Sequence, residues 1–375
     1  DQSITGNEII TYYNNSPSAL NFLWIQLDQN VRAKDADKYK INERFYAGYS
    51  VDAKRLPHLT FDADFDGGFR IISIEDMEGN GLSFHRVKTM MRIDLAEPLK
   101  PGSVVKFKID WNYLIGNRRD DDERSGYEYF PEDDNYLFTI AQFYPRMAVF
   151  DDFNGWQNKQ FLGQGEFTLN FGNFDVKITA PADHVIAATG SLENESLVLN
   201  SIQLKRLQNA RASFDAPVVI ITEEEAVLNE GSRSDQTKTW HYKAEKVRDF
   251  AFVSSRKFIW DAQAVQLDQK TTMAMSLYPK EGNPLWEQES TKAVVNTLKT
   301  YSEMTIEYPY PVAISVHTAD IGMEYPMICF NYGRPNTKGS YSAMMKWSMI
   351  SVIIHEVGHN FFPMIINSDE RQWSW

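Results

Sequence analysis

The chain has 375 residues, 43% hydrophobic and 13% aromatic, enough to bury substantial cores and to suggest two domains. A formal net charge of −13 argues against nucleic acid or an anionic membrane as a partner, and no apolar run approaches the roughly 18 residues of a transmembrane segment. The single cysteine, Cys329, rules out an internal disulfide and leaves the redox compartment open; between Ile328 and Phe330 it reads as a small core residue rather than a nucleophile.

From Asp1 to about Ile221 the pattern is mostly strand. Short apolar or alternating runs at 69–74, 104–111 and 174–178 are separated by Gly, Pro, Asn and Asp, which suggests a β-sandwich or folded-over sheet. The charged run from Arg118 to Arg124 lacks the alternation and turn glycine of a calcium loop and reads as a solvated loop. The polar stretch 223–236, with Gly231, Ser232 and Ser234, reads as a boundary or a long hairpin and divides the chain into domains at 1–225 and 226–375.

Beyond it, 239–244 and 273–278 read as strands. A helix is expected over 284–306, with Val294, Val295, Leu298, Tyr301 and Met304 at helical spacing and Pro309 and Pro311 after it. The strand 312–317 then leads into Gly322, Met323 and Glu324. A last helix runs from about 344 until Pro363 stops it, apolar nearly all round and so expected to be enclosed on every side. A β-rich first half thus precedes an α+β second half.

That last helix carries His355-Glu356-Val357-Gly358-His359. Histidines four residues apart sit one turn apart on one helix face, so both imidazoles can reach a single metal ion. Glu356 projects beside them, where a carboxylate can take a proton from a metal-bound water. The same histidines also suit a packed core without any ion. His317, on a strand with no partner at ligand spacing, reads as structural.

Gly322-Met323-Glu324-Tyr325 precedes this motif by about thirty residues and resembles the G-x-M-E-N segment of the aminopeptidase N family of zinc metallopeptidases, the gluzincins. Gln142-Phe143-Tyr144-Pro145 resembles that family's Q-x-E-P segment, and Trp373-Ser374-Trp375 resembles the start of the helix that supplies its third zinc ligand. The resemblance implies a saddle-like N-terminal β-domain followed by an incomplete thermolysin-like catalytic domain. It implies a hydrolase that cleaves N-terminal peptide bonds with one zinc ion, held by His355, His359 and a glutamate expected beyond Trp375. Glu356 would be the catalytic base, Glu324 would hold the free amine of a peptide substrate, Gly322 and Met323 would pair with its main chain, and Gln142 would contact its first side chain.

Tyr325 replaces the family's Asn, and Tyr144 stands where it has a second glutamate; the lost carboxylate puts strict exopeptidase selectivity in question. Because the sequence ends inside the motif, the expectation is a portion of a longer metallopeptidase; the other reading is a complete chain without catalysis. A related peptidase without exo-selectivity and a non-catalytic binding or scaffolding protein of the same fold remain open. A start at Asp1 resembles exported bacterial members, which points to the periplasm or the exterior, with the cytoplasm open.

Overall fold

Alternation along the chain builds the first strands of the computed structural model, which describes residues 2–38, 65–118 and 124–371. Two compact units emerge. The first comprises the described residues within Asp1–Asp122, Gln142–Asn170 and Asn367–Trp375, and the second those within Glu123–Ala141 and Phe171–Ile366. They interleave along the chain.

In the first unit, β1 (Ser3–Tyr13) and β6 (Val104–Leu114) pair antiparallel over their whole length, from Ser3 opposite Leu114 to Tyr13 opposite Val104. β3 (Arg70–Asp76) adds to the other side of β6. A second sheet joins β2 (Leu20–Gln26), β4 (Phe84–Val87) and β5 (Met90–Leu99), with Arg146–Met147 at its edge. Period-two alternation turns Phe107, Ile109, Trp111 and Tyr113 of β6 to the interior, where Phe69 meets both Trp111 and Tyr113 edge-on. Buried Asp28 accepts from Arg146 and from Arg371, the latter at 2.7 Å, tying three distant segments together.

The second unit begins with β7 (Gly126–Phe130) and β8 (Asn135–Ile140), followed by β9 (Gly172–Pro181) and β10 (Val185–Ala188). Helix α1 (Ser201–Ala210), strand β11 (Val218–Ile221) and helix α2 (Glu223–Glu230) come next. The two helices correct the sequence reading, which had mostly strand up to about 221 and a boundary or a long hairpin over 223–236. Both start in capping boxes, Asn200 with Gln203 and Thr222 with Glu225, whose reciprocal hydrogen bonds satisfy amides at the helix start. Then follow β12 (Thr237–Val247), β13 (Phe252–Ser255), β14 (Ile259–Gln266) and β15 (Thr271–Tyr278). Helix α3 (Leu285–Met304), β16 (Val312–His317), β17 (Met323–Tyr325), β18 (Ile328–Asn331) and α4 (Ala343–His359) complete the unit.

A six-stranded sheet in the order β11-β14-β15-β16-β18-β17 positions the chemistry. β15, β16 and β18 are parallel, and α3 links the first two, as parallel neighbours require. β17 forms the edge, paired antiparallel to β18 with Glu324 opposite Cys329. Helix α4 buries Met349, Val352, Ile353, Glu356 and Val357, a stripe at i, i+3, i+4, i+7 and i+8. It is not enclosed on every side, however: Met344 is 79% and Trp347 64% exposed, so apolar residues also cover its outer face.

Candidate metal centre

Helix α4 starts at Ser342, whose hydroxyl accepts from the amide of Met345. Its far end is pinned by Asn360, which accepts from the Met327 amide at 2.6 Å and contacts the Cys329 sulfur. The last turn, carrying both histidines, is therefore fixed to the β17–β18 hairpin that carries Glu324. Gly358 lets this turn approach α3: a β-carbon there would fall 2.6 Å from Cε2 of Tyr301.

His355 is exposed and His359 half-buried, with their Nε2 atoms 3.0 Å apart. His359 Nδ1 lies 3.1 Å from the carbonyl of Phe362, so this nitrogen carries the proton and Nε2 presents its lone pair. His355 then donates from Nε2 to His359 Nε2. Two nitrogens on one tetrahedral ion at zinc distances stand about 3.3 Å apart, so an ion replaces this shared proton with a small opening of the pair. His355, Glu356 and His359 bring ligand atoms within 4.8 Å of one another. One oxygen of Glu356, Oε2, is buried without a hydrogen-bond partner among the described residues. Two converging imidazoles and a spare carboxylate oxygen fit a metal-bound water.

Glu356 is only 5% exposed, and burial first, then the charge and hydrogen bond of Glu324, push its carboxyl up to about 8. Arg124 opposes this rise, and its guanidinium lies 2.6 Å from the sulfur of buried Met323. Sequence reasoning missed Arg124 as a member of the site; its position at the end of the charged run was the only signal. Arg119 to Glu123 of that run, like Trp373-Ser374-Trp375, lie outside the described residues.

Gly322 closes the group. A β-carbon at this position would overlap Oε1 of Glu356 and fall 2.6 Å from Cγ2 of Val352, so β17 can approach the helix only with glycine here. The structure thus brings His355, Glu356, His359, Gly322, Met323 and Glu324 together. Gln142 belongs to the other unit, where its buried amide donates to Glu166 and lies 3.4 Å from Arg32. Cys329 is buried, its thiol donates to the Glu356 carbonyl at 3.2 Å, and burial pushes its pKa up, as befits a core residue. His317 is fully buried edge-on to Trp286.

A second acidic group, Asp133, Glu230 and Glu281, is filled by lysine. The wholly buried Lys257 ammonium reaches all three, at 2.7 Å from Glu230 and 3.0 Å from Glu281, and Lys280 binds two of them.

Comparison with solved structures decides the fold. An M1 zinc metallopeptidase mutant from Deinococcus radiodurans aligns over 98% of this chain with a TM-score of 0.54 and 11% identity. The fold is similar to that of the M1 zinc metallopeptidases. The M1 structure from that organism without the mutation aligns over 97% of this chain at 12% identity and TM-score 0.52. A two-domain M1 mutant bound to L-arginine aligns over 98% at 12% identity and TM-score 0.54. This chain spans only 61–62% of the length of these M1 structures. No protein-family model matches the sequence, and no curated protein matches it. Among the described residues no helix is long and apolar enough to cross a membrane.

Proposed function

We propose that this chain is part of a zinc-dependent, aminopeptidase-like metallopeptidase, built as a saddle-like β-domain and a thermolysin-like catalytic domain. The observation that carries the reading is the convergence of the two Nε2 atoms beside a buried glutamate that is itself hydrogen-bonded to Glu324. His355 and His359 would hold the zinc with a third protein ligand from outside the described residues. When bound, zinc polarises the scissile carbonyl and acidifies water. Glu356 takes up the proton and returns it to the leaving amine; its Oε2 has no competing partner among the described residues. Glu324 binds the substrate's free ammonium, and the edge strand around Gly322 and Met323 aligns the peptide main chain.

A second reading, a peptidase without a strict need for a free N-terminus, is favoured by Tyr325. Its ring is buried against Phe330, at the position where the family has Asn. Comparing free and N-acetylated peptides separates the two: equal turnover of both removes exo-selectivity. The common reading is tested by Glu356→Gln in the protein that carries this chain. Zinc content should be unchanged and turnover should drop by about 10²–10⁴-fold, the range for loss of a general base; wild-type turnover rejects the assignment.

A further inference from the structure

The face of the six-stranded sheet beneath α3 carries an unusual row of polar side chains. Asp261 of β14 stands opposite Ser276 of β15, Ser276 opposite Ser315 of β16, and Ser315 opposite Cys329 of β18. Helix α3 presses Ser290 and Thr291 onto this row. The Asp261 carboxylate accepts from the Tyr278 hydroxyl at 2.8 Å and from the Thr291 hydroxyl. Thr291 lies 2.6 Å from Ser276, Ser276 lies 2.8 Å from Ser290, Ser290 lies 3.2 Å from Ser315, and Asn331 Nδ2 lies 3.0 Å from Ser315. All seven side chains are at most 2% exposed, so none can exchange a lost partner for bulk water.

Counting protons shows that the row has two complete arrangements. Each hydroxyl donates once. As oriented in the structure, Thr291 donates to Ser276, Ser276 to Ser290 and Ser290 to Ser315, away from Asp261. With Asp261 ionised these hydroxyls turn, Ser315 donating to Ser290, Ser290 to Ser276, Ser276 to Thr291, and Thr291 to the carboxylate. With Asp261 protonated, the acid donates to Thr291 and every bond reverses, so that Ser315 must donate outward. The acceptor for that last proton is in place: Oδ1 of Asn331 is buried without a partner among the described residues, and a turn of the amide presents it to Ser315.

We propose that this buried hydroxyl row is a protonation switch, its hydrogen bonds pointing to Asp261 when that carboxyl is ionised and to Asn331 when it is protonated, so that one proton sets how firmly α3 is held to the sheet. The surroundings favour the protonated arrangement. Burial pushes the Asp261 carboxyl up to about 7, the two hydroxyls oppose this, and Glu287 of α3 adds to it. Tyr278 of β15 and Glu287 are the titratable groups acting on it, Glu223 of α2 acts on Tyr278, and β11 on the other side presents Val219. Helix α1, also against β14, turns Leu207 and Ala210 inward. The consequence reaches the histidines, because α3 supports α4 through Tyr301 against Gly358 and through Glu289 to Lys346 at 2.6 Å.

The test is amide hydrogen exchange of α3 at several pH values, comparing wild type with Asp261→Asn, which fixes the neutral form. A carboxyl whose folded pKa is raised stabilises below its unfolded pKa, and that stability is lost as pH rises through the folded value. The ratio of α3 protection, variant over wild type, should therefore rise about a hundredfold from pH 5 to pH 8 and level off above pH 7. Thr291→Val removes a donor to the ionised form, so it should move the fall in α3 protection to higher pH, and this arm needs no Asp261 variant. A ratio constant within about threefold across this range, or an unmoved midpoint in Thr291→Val, overturns the switch.

Discussion

Replacing Gly322 by alanine inserts one methyl group between the edge strand and the helix that carries the two histidines. The added carbon would sit 2.6 Å from Cγ2 of Val352 and overlap a carboxylate oxygen of Glu356. Carbon atoms pack at about 3.5–4.0 Å, so strand or helix must yield by roughly 1 Å. Overpacking of this kind costs about 1–3 kcal/mol. The Glu356 side chain, 5% exposed and hydrogen-bonded to Glu324, has little room to swing away. Misplacement of a reacting group by about 1 Å can cost about 100-fold in rate. Gly322→Ala in the zinc-loaded protein should thus lower peptide turnover about 100-fold, lower the unfolding midpoint, and leave zinc content unchanged, since the imidazoles are not in its path. Gly172→Ala is the control, because a β-carbon there meets nothing within 4 Å. If Gly322→Ala matches Gly172→Ala in turnover and stability, the close approach of β17 to Glu356 does not exist in solution.

Two further outcomes follow from buried charges. Lys257→Met should destabilise the second unit by about 3–5 kcal/mol in denaturant unfolding, because Asp133, Glu230 and Glu281 would all lose this ammonium, with Lys280 paired to the first two; a loss near zero refutes the buried network. His184, whose Nδ1 lies 2.8 Å from the Ser254 hydroxyl, is pushed down to about 4 by burial first and by Arg256. Its unfolded form binds the proton more readily, so stability present above pH 6.5 is lost as pH falls toward 4. By linkage this is about 3 kcal/mol, and His184→Gln should remove that slope; an unchanged acid limb in the variant contradicts it.

How much of this was readable in advance depended on how local the cause was. The strand 312–317 and the long helix after Pro284 follow from apolar periodicity and proline punctuation, and both stand where the pattern puts them. Helix α1, by contrast, interrupts a strand-rich stretch with only Leu207 and Ala210 fully buried, so its apolar signal is faint; the decisive cue was the short Asn200–Gln203 capping pair. The triple glutamate opening α2 reads as a boundary or a long hairpin until Thr222 is recognised as its cap. For the site, the spacing of His355 and His359 is a one-turn property and visible in the letters. The contact of Gly322 with Glu356, the presence of Arg124 and the row from Asp261 to Asn331 join residues tens to hundreds of positions apart, and only strand order creates them.

The account stands most directly on whether one ion sits between two imidazoles. Anomalous diffraction at the zinc edge, from crystals of the protein that carries this chain grown with zinc, should place a single strong peak about 2.0–2.1 Å from Nε2 of both His355 and His359. A map with no peak between these rings, or with zinc among Asp133, Glu230 and Glu281 instead, would contradict it.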